Sequence, residues 1–213
     1  MSRKPYQAFL FDMDGTLLNS AASAERIWGA WAARHGLEVE GFLRTMHGRR
    51  SEDTIRDCGI PGLDIAAEAR AITDAEIDDT AGTVEIPGAR AFLDALPAGR
   101  WAIVTSAPRA LAQARLKAAG LLLPAIMITA EDITAGKPDP EGYRLAAQRL
   151  GIPPEACLVF EDAPPGILAG EAAGADVLVI GKTSHPAHMA TADYSGLSVR
   201  ATTDGALELC GLQ

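Results

Sequence analysis

The 213-residue sequence has few cysteines, few lysines and no long apolar run, and each shortage excludes a class of protein. Its three cysteines, Cys58, Cys157 and Cys210, are far apart and form no C-x-x-C pair. This pattern argues against a disulfide framework or a zinc site and favours reduced, buried thiols. No apolar stretch approaches the length of a membrane span, and the first one is interrupted by Asp12, so we expect no signal peptide and a cytoplasmic protein.

Positive charge is scarce as well, with 19 lysines and arginines against 28 acidic residues and a net charge of -9. Without a basic stripe to replace counterions, we expect no nucleic acid and no anionic membrane as a partner. A small anionic substrate is still compatible where positive charge is local. Because only four lysines occur, Lys137, in a loop with other polar signals, is more informative than a lysine usually is.

The sequence from Ala8 to Phe11 is apolar without alternation, which predicts a central parallel strand buried on both faces. Gly15 marks the point where this strand must break. Asp12 and Asp14 therefore follow the strand, and residues two apart point the same way in an extended chain. Two carboxylates this close need a cation or a shared proton. The alternative is that this Asp-x-Asp-Gly segment is an ordinary solvated turn.

The next part of the chain reads as helical, with Asn19 or Ser20 able to cap a first helix and Ser51 and Asp64 able to cap later ones. We predict an all-helical insert over residues 20–83. From residue 84 on, strands alternate with helices, which indicates an α/β fold with a doubly wound, Rossmann-like parallel sheet, built from residues 1–19 and 84–213. In such sheets the ligand lies beyond the carboxyl ends of the strands. Predicted strands cover residues 101–104, 126–129, 157–160 and 177–180.

Polar groups of different chemistry follow or link these strands: Asp12 and Asp14, Thr105 and Ser106, Lys137, and Glu161 and Asp162. Together they supply a nucleophilic carboxylate, acidic metal ligands, a hydroxyl at a helix N-terminus and a cation. Each alone has a simpler explanation as a cap, a solvated charge or a turn. Their joint occurrence at strand ends is poorly explained by coincidence.

Four segments resemble the signature motifs of the haloacid dehalogenase superfamily and span the predicted core. They are Asp12-Met13-Asp14-Gly15-Thr16, Val104-Thr105-Ser106, Gly136-Lys137-Pro138-Asp139-Pro140 and Val159-Phe160-Glu161-Asp162-Ala163-Pro164-Pro165-Gly166. The helical insert after the first motif is similar to that of subfamily I, whose inserts are cap domains. Phrases such as Ile86-Pro87-Gly88-Ala89 look most like those of bacterial sugar phosphatases and of glycerol phosphatases.

The resemblance implies a two-step phosphoryl transfer from a small phosphorylated metabolite. Asp12 would attack phosphorus to give an aspartyl-phosphate, and Asp14 would be the general acid and base. Mg²⁺ would be held by the Asp12 carboxylate, the Asp14 backbone carbonyl and Asp162, with Glu161 as an outer or additional ligand.

The same resemblance assigns roles to the other motifs. Ser106 and the Ala107 amide would bind the transferring oxygens, and Lys137 would neutralise charge as the nucleophile and the phosphoryl group approach.

A local basic group, Arg44, His47, Arg49 and Arg50, lies in the otherwise acidic insert. We expect this group, His47 and Arg50 above all, to reach over the cleft and bind the substrate when the insert closes. The alternative is that these are solvated surface charges.

Other activities of the superfamily are alternatives to hydrolysis. A sugar-phosphate mutase carries a cap arginine for a second phosphate, and Ser51 stands at that position, although Arg49 and Arg50 are adjacent. A phosphonate hydrolase would want a cap lysine, which residues 20–83 lack, and Asp14 argues against a dehalogenase. A non-catalytic binding protein is a further alternative. We expect a monomer or a weak homo-oligomer.

Overall fold

The computed structural model describes residues 4–181, 187–203 and 205–212. Residues 1–3 and 182–186, which fall in the ranges expected for the core, lie outside the described residues. The α-helices of this part are α1 (Ala21–Arg34), α2 (Val39–Met46), α3 (Ser51–Asp57), α4 (Ile65–Asp78), α5 (Ala89–Asp94), α6 (Arg109–Ala118), α7 (Glu141–Leu150) and α8 (Pro164–Ala173). The strands are β1 (Ala8–Phe11), β2 (Leu18–Asn19), β3 (Val84–Glu85), β4 (Trp101–Val104), β5 (Met127–Ile128), β6 (Cys157–Glu161), β7 (Asp176–Ile180), β8 (Met189–Thr191), β9 (Ser198–Ala201) and β10 (Leu207–Cys210).

Six strands form one parallel sheet in the order β5-β4-β1-β6-β7-β8. The chain starts in the middle with β1, builds one side through β4 and β5, and then crosses to β6 on the other side. The order therefore reverses at β1, which is the topological switch point of the sheet. The prediction of a doubly wound α/β fold is confirmed.

Both faces of the sheet are covered, and successive residues of β1 serve different layers. Phe9 and Phe11 pack in the hydrophobic cluster that contains residues of α5 and α6. The Phe11 ring stacks on the Phe160 ring, with the two ring centroids 4.5 Å apart. Ala8 and Leu10 pack in the opposite cluster with residues of α7 and α8. Burying each large side chain contributes about 2 kcal/mol, so the apolar run that predicted β1 also anchors both layers.

Helices α1 to α4 share a hydrophobic cluster of their own, which includes Trp28, Trp31 and Ile72. The chain enters and leaves this helical segment through β2 and β3, which pair antiparallel. Two-residue strands carry too short a pattern to be recognised in sequence. The ends of the helical insert at residues 20 and 83 stay a prediction.

Most predicted elements are found within a few residues of their expected ends, and the differences concern caps and the C-terminal strands. Asp64 accepts a hydrogen bond from the Ala67 amide, as expected of a cap. Of the two residues expected to cap α1, Asn19 accepts a hydrogen bond from the Ala21 amide at 3.0 Å, whereas the Ser20 side chain makes no capping hydrogen bond. Ser51 is the first residue of α3 rather than its cap. Strands β8, β9 and β10 were not predicted: all three are short, β8 and β9 are mostly exposed, and only β10 alternates between buried and half-buried residues. Among the described residues, no helix combines the length and apolarity needed to cross a lipid bilayer.

Candidate active site

The candidate active site lies where β4, β1 and β6 end side by side. Asp12 directly follows β1, Thr105 follows β4, and Glu161 is the last residue of β6. Because these three parallel strands are neighbours, their carboxyl ends bring together residues that are about 150 positions apart in sequence. Lys137 reaches the same edge from the loop before α7.

A buried ion triad forms the centre of this site. The Lys137 ammonium donates to Asp12 Oδ1 and to Glu161 Oε1, each at 2.5 Å, and its side chain is 6% exposed. The Tyr143 hydroxyl donates to the same Glu161 oxygen at 2.7 Å. Removing one partner of such a buried group would leave an uncompensated charge, so Lys137 holds both carboxylates in place.

Burial and crowding shift the pKa values of these groups. Burial raises the pKa of Asp12 well above its ordinary value, although the charge of Lys137 opposes this shift. Burial and the charge of Glu161 raise the pKa of Asp162 to about 7. Burial alone would lower the pKa of Lys137, but the charges of Asp12 and Glu161 outweigh it and raise that pKa. The site is thus short of positive charge although it contains a lysine.

The acidic cluster suits a divalent cation. One carboxylate oxygen from each of Asp12, Glu161 and Asp162 lies within 4.8 Å of the other two, which is a compact set of hard oxygen donors. The Thr16 hydroxyl orients Asp162 by donating to Oδ1 at 3.1 Å. Gly15, at φ +87°, leaves room for the other oxygen, since a Cβ there would lie 2.1 Å from Asp162 Oδ2. These features fit the Mg²⁺ expected from the sequence.

The Asp14 carboxylate turns away from this cluster towards the helical segment. Its Oδ1 accepts a hydrogen bond from the Ser20 hydroxyl at 2.6 Å and lies 3.0 Å from Nη1 of Arg115 on α6. The same guanidinium donates to Glu76 of α4 at 2.8 Å. Asp12 and Asp14 therefore face different partners although only one residue separates them.

Arg115 and Glu76 were missed in the sequence, although a signal for both was present. Arg115 interrupts the apolar face of α6 formed by Leu111, Ala112 and Leu116, and Glu76 follows Ile72 by one helical turn on α4. Charged residues at such core positions are seldom buried unless they are paired. Their pairing partners lie on another helix, which a single sequence does not reveal.

The expected phosphate ligands line the same cavity as Asp12 but have protein partners. The Ser106 hydroxyl donates to the backbone carbonyl of Gly48 at 3.0 Å, and the Ala107 amide donates to the Thr105 hydroxyl at 3.1 Å. The first contact joins the β4 loop to the loop between α2 and α3. The helical segment is therefore closed over the strand ends in this conformation.

The expected cap residues separate into two groups. His47 and Arg49 line a cavity of about 80 Å³ together with Asp12, Asp14 and Ser106. Arg50 lies outside that cavity: it pairs with Asp53 at 2.7 Å and donates to the Thr134 carbonyl at 2.9 Å. Arg50 thus joins the helical segment to the loop that carries Lys137.

Arg44 is further away, on the outer face of α2, where it pairs with Glu40 at 2.8 Å. Of the basic group expected from sequence, the structure brings only His47 and Arg49 into the cavity that contains Asp12, and the Arg49 side chain also pairs with Asp57. A wider opening of about 310 Å³, lined by residues that include Arg50, Arg70 and Ser106, continues from this region along the boundary between α4 and the core.

The chain is similar in sequence and in fold to known proteins. The family model for haloacid dehalogenase-like hydrolases matches residues 6–174. The chain is 46% identical to hexitol phosphatase A of Escherichia coli over 82% of each chain, and 35% identical to glycerol-1-phosphate phosphohydrolase 2 of Saccharomyces cerevisiae over 83% of this chain and 75% of that one. Its fold is shared with CbbY of Rhodobacter sphaeroides, solved with xylulose 1,5-bisphosphate, at a TM-score of 0.76 and 23% identity, over 89% of this chain and 95% of that one.

Proposed function

The chain belongs to the haloacid dehalogenase-like hydrolases, and on that premise we propose that it is a Mg²⁺-dependent phosphatase of small sugar and polyol phosphates. The observation that carries the proposal is the buried Asp12 carboxylate, held at one oxygen by Lys137 and facing a small cavity that also contains Asp14 and Ser106. The similarity to hexitol and glycerol phosphatases supports the substrate class.

In the first step an Asp12 oxygen forms a bond to phosphorus while the bond from phosphorus to the ester oxygen breaks. Asp14 gives its proton to the leaving oxygen, which departs as an alcohol. In the second step Asp14 takes a proton from water, the water oxygen bonds to phosphorus, and the bond to Asp12 breaks. Inorganic phosphate leaves and both aspartates return to their starting forms.

Asp12 and Asp162 are the side chains that would hold Mg²⁺, with the Asp14 backbone carbonyl as a further ligand and Glu161 as an outer or additional one. When bound, Mg²⁺ supplies positive charge next to the nucleophile and the phosphoryl oxygens. Thr16 orients Asp162 through its hydroxyl, and Tyr143 restrains Glu161 in the same way.

Lys137 balances the negative charge that accumulates when a phosphate dianion approaches Asp12. Its ammonium is already within 2.5 Å of an Asp12 oxygen, so little reorganisation is needed during attack. Ser106 and the Ala107 amide would exchange their present acceptors, the Gly48 carbonyl and the Thr105 hydroxyl, for phosphoryl oxygens. Substrate binding then breaks the hydrogen bond from Ser106 to the loop between α2 and α3, which we call the cap loop.

A screen of phosphate release tests this function. Purified protein with Mg²⁺ should release phosphate from one or more of hexitol phosphates, glycerol phosphates and aldose phosphates, and should lose this activity in chelator. Conversion of a sugar 1-phosphate to its 6-phosphate without phosphate release would favour a mutase instead. Binding of these compounds with no turnover of any of them would contradict an enzymatic role.

A further inference from the structure

A buried arginine connects Asp14 to the helical segment. Arg115 Nη1 lies 3.0 Å from Asp14 Oδ1, and Arg115 Nη2 donates to Glu76 Oε1 at 2.8 Å. The side chains of Arg115 and Glu76 are only 7% and 3% exposed. One guanidinium therefore spans from the loop after β1 to a helix of the cap, and all three groups line the cavity that contains Asp12.

Stability alone is a poor explanation for this network. Replacing a buried ion pair by packed apolar side chains is often neutral or stabilising, and α6 already presents Leu111, Ala112 and Leu116 on the same face. Arg115 Nε is moreover buried with no hydrogen-bond partner among the described residues. A buried donor left without a partner is destabilising, and such a group in a native structure calls for a compensating role.

The geometry suggests what that role is. Arg115 and Ser20 both approach Oδ1 of Asp14, so that oxygen is restrained from two sides and proton transfer falls to Oδ2. Glu76 neutralises the charge of the guanidinium and holds its Nη2 atom in place. The Arg115–Glu76 pair therefore joins α6 to α4 of the helical segment.

We propose that Arg115 is a positioning residue, which orients Asp14 for proton transfer to the leaving oxygen and is itself held in place by Glu76 of the closed cap. The inference rests on the proposed phosphatase function, and it adds that the acid of the reaction is oriented by a side chain that also contacts the helical segment.

The leaving group provides the test, because only a poor leaving group needs a well-placed acid. In Arg115→Gln, single-turnover cleavage of a hexitol phosphate should fall by about 30-fold or more, whereas release of p-nitrophenolate from p-nitrophenyl phosphate should stay within about threefold of wild type. Glu76→Gln should also slow cleavage of the hexitol phosphate more than that of p-nitrophenyl phosphate, with a smaller loss of rate than in Arg115→Gln. Lys117→Gln, an exposed change on the same helix, is the matched control and should alter neither rate.

A double-mutant comparison separates positioning from structure. In an Asp14→Asn background, adding Arg115→Gln should no longer cause its about 30-fold loss in single-turnover cleavage of the hexitol phosphate, because the group that Arg115 orients is no longer an acid. Equal losses for both esters, or a loss that multiplies with that of Asp14→Asn, would overturn the proposal. If Arg115→Gln does not fold, Glu76→Gln and Arg115→Lys carry the same comparison with the same two outcomes. A wild-type protein that cleaves no phosphate ester would instead contradict the proposed function.

Discussion

The Ser106 hydroxyl donates a hydrogen bond of 3.0 Å to the backbone carbonyl of Gly48. A residue at the end of a core strand is thereby bonded to the cap loop that carries His47. If Ser106 turns to a phosphoryl oxygen on substrate binding, this hydrogen bond is lost and the cap loop must gain other contacts to stay closed. The substrate itself is the available source of those contacts.

The cap loop should therefore determine specificity. His47→Ala and Arg50→Ala should each lower kcat/KM for a good sugar phosphate by about tenfold or more, on the order of 1.4 kcal/mol, and affect a small aryl phosphate much less. His47 faces the cavity, whereas Arg50 acts by tying the loop to the Thr134 carbonyl. Steady-state kinetics with both esters would measure this difference.

Arg34→Ala is a suitable control, since this exposed cap arginine pairs with Glu68. It should leave both kcat/KM values unchanged. Equal losses for the two esters in the His47 and Arg50 variants would mean that specificity is determined elsewhere.

Asp12→Asn should retain the fold and lose turnover. The two side chains are nearly isosteric, but an amide cannot form the acyl-phosphate, so kcat should fall on the order of 10⁴-fold or more. Phosphate release and thermal unfolding should be measured on the same preparation. Near-normal activity in a correctly folded variant would show that another group is the nucleophile.

Metal exchange should separate binding from catalysis. Activity should vanish in chelator and return with Mg²⁺, because several carboxylates crowd around Asp12. Ca²⁺ is larger and takes more ligands, so it should compete for the site and support little turnover. Full activity after verified metal removal would contradict a metal-dependent reaction.

Gly15 and Gly36 offer a matched pair for testing the acidic cluster. Both have positive φ values, +87° and +71°, so alanine at either position should cost about 1–2 kcal/mol of folding free energy. Only at Gly15 would the new methyl group collide with Asp162. Gly15→Ala should therefore raise the Mg²⁺ concentration for half-maximal activity by about tenfold or more.

Titration of activity with Mg²⁺ would compare the two variants. The Gly36→Ala protein should keep the wild-type metal requirement, because a Cβ there meets no described atom within 4 Å. An unchanged requirement in Gly15→Ala as well would argue against Asp162 as a ligand.

Local sequence signals predicted the sheet and the strand-end residues, but not the contacts made by side chains far apart in sequence. The apolar run Ala8 to Phe11 predicts β1 because burial on both faces is encoded in the residues themselves. Ser20 is at the expected N-cap position of α1, but the sequence did not predict that its hydroxyl donates to Asp14, because this contact depends on the turn that precedes α1. Arg115 depends on a partner 39 positions away, Glu76, and the pairing of two helices is decided by tertiary packing.

Asp132 should make stability depend on pH in the acidic range. Burial alone would raise the pKa of Asp132, but hydrogen bonds from Arg149 and Thr129 and the charge of Arg109 outweigh it and lower that pKa to about 2, from an ordinary 3.8. A carboxyl whose pKa is lowered by folding stabilises the protein above its unfolded pKa and loses this effect as the pH falls towards its folded pKa. The contribution should thus be complete above about pH 5 and decline towards pH 2.

Urea unfolding of Asp132→Asn and wild type between pH 3 and pH 7 would measure this contribution. The free energy of unfolding of the variant should be lower than that of wild type by about 1–2 kcal/mol at pH 7, a figure reduced for the solvent exposure of both arginines. This gap between the two free energies should narrow towards pH 3. Asp94→Asn, at an exposed position of α5, should show no such gap. A gap for Asp132→Asn that stays constant across this range would mean that its hydrogen-bond geometry, rather than its charge, stabilises the loop between β5 and α7.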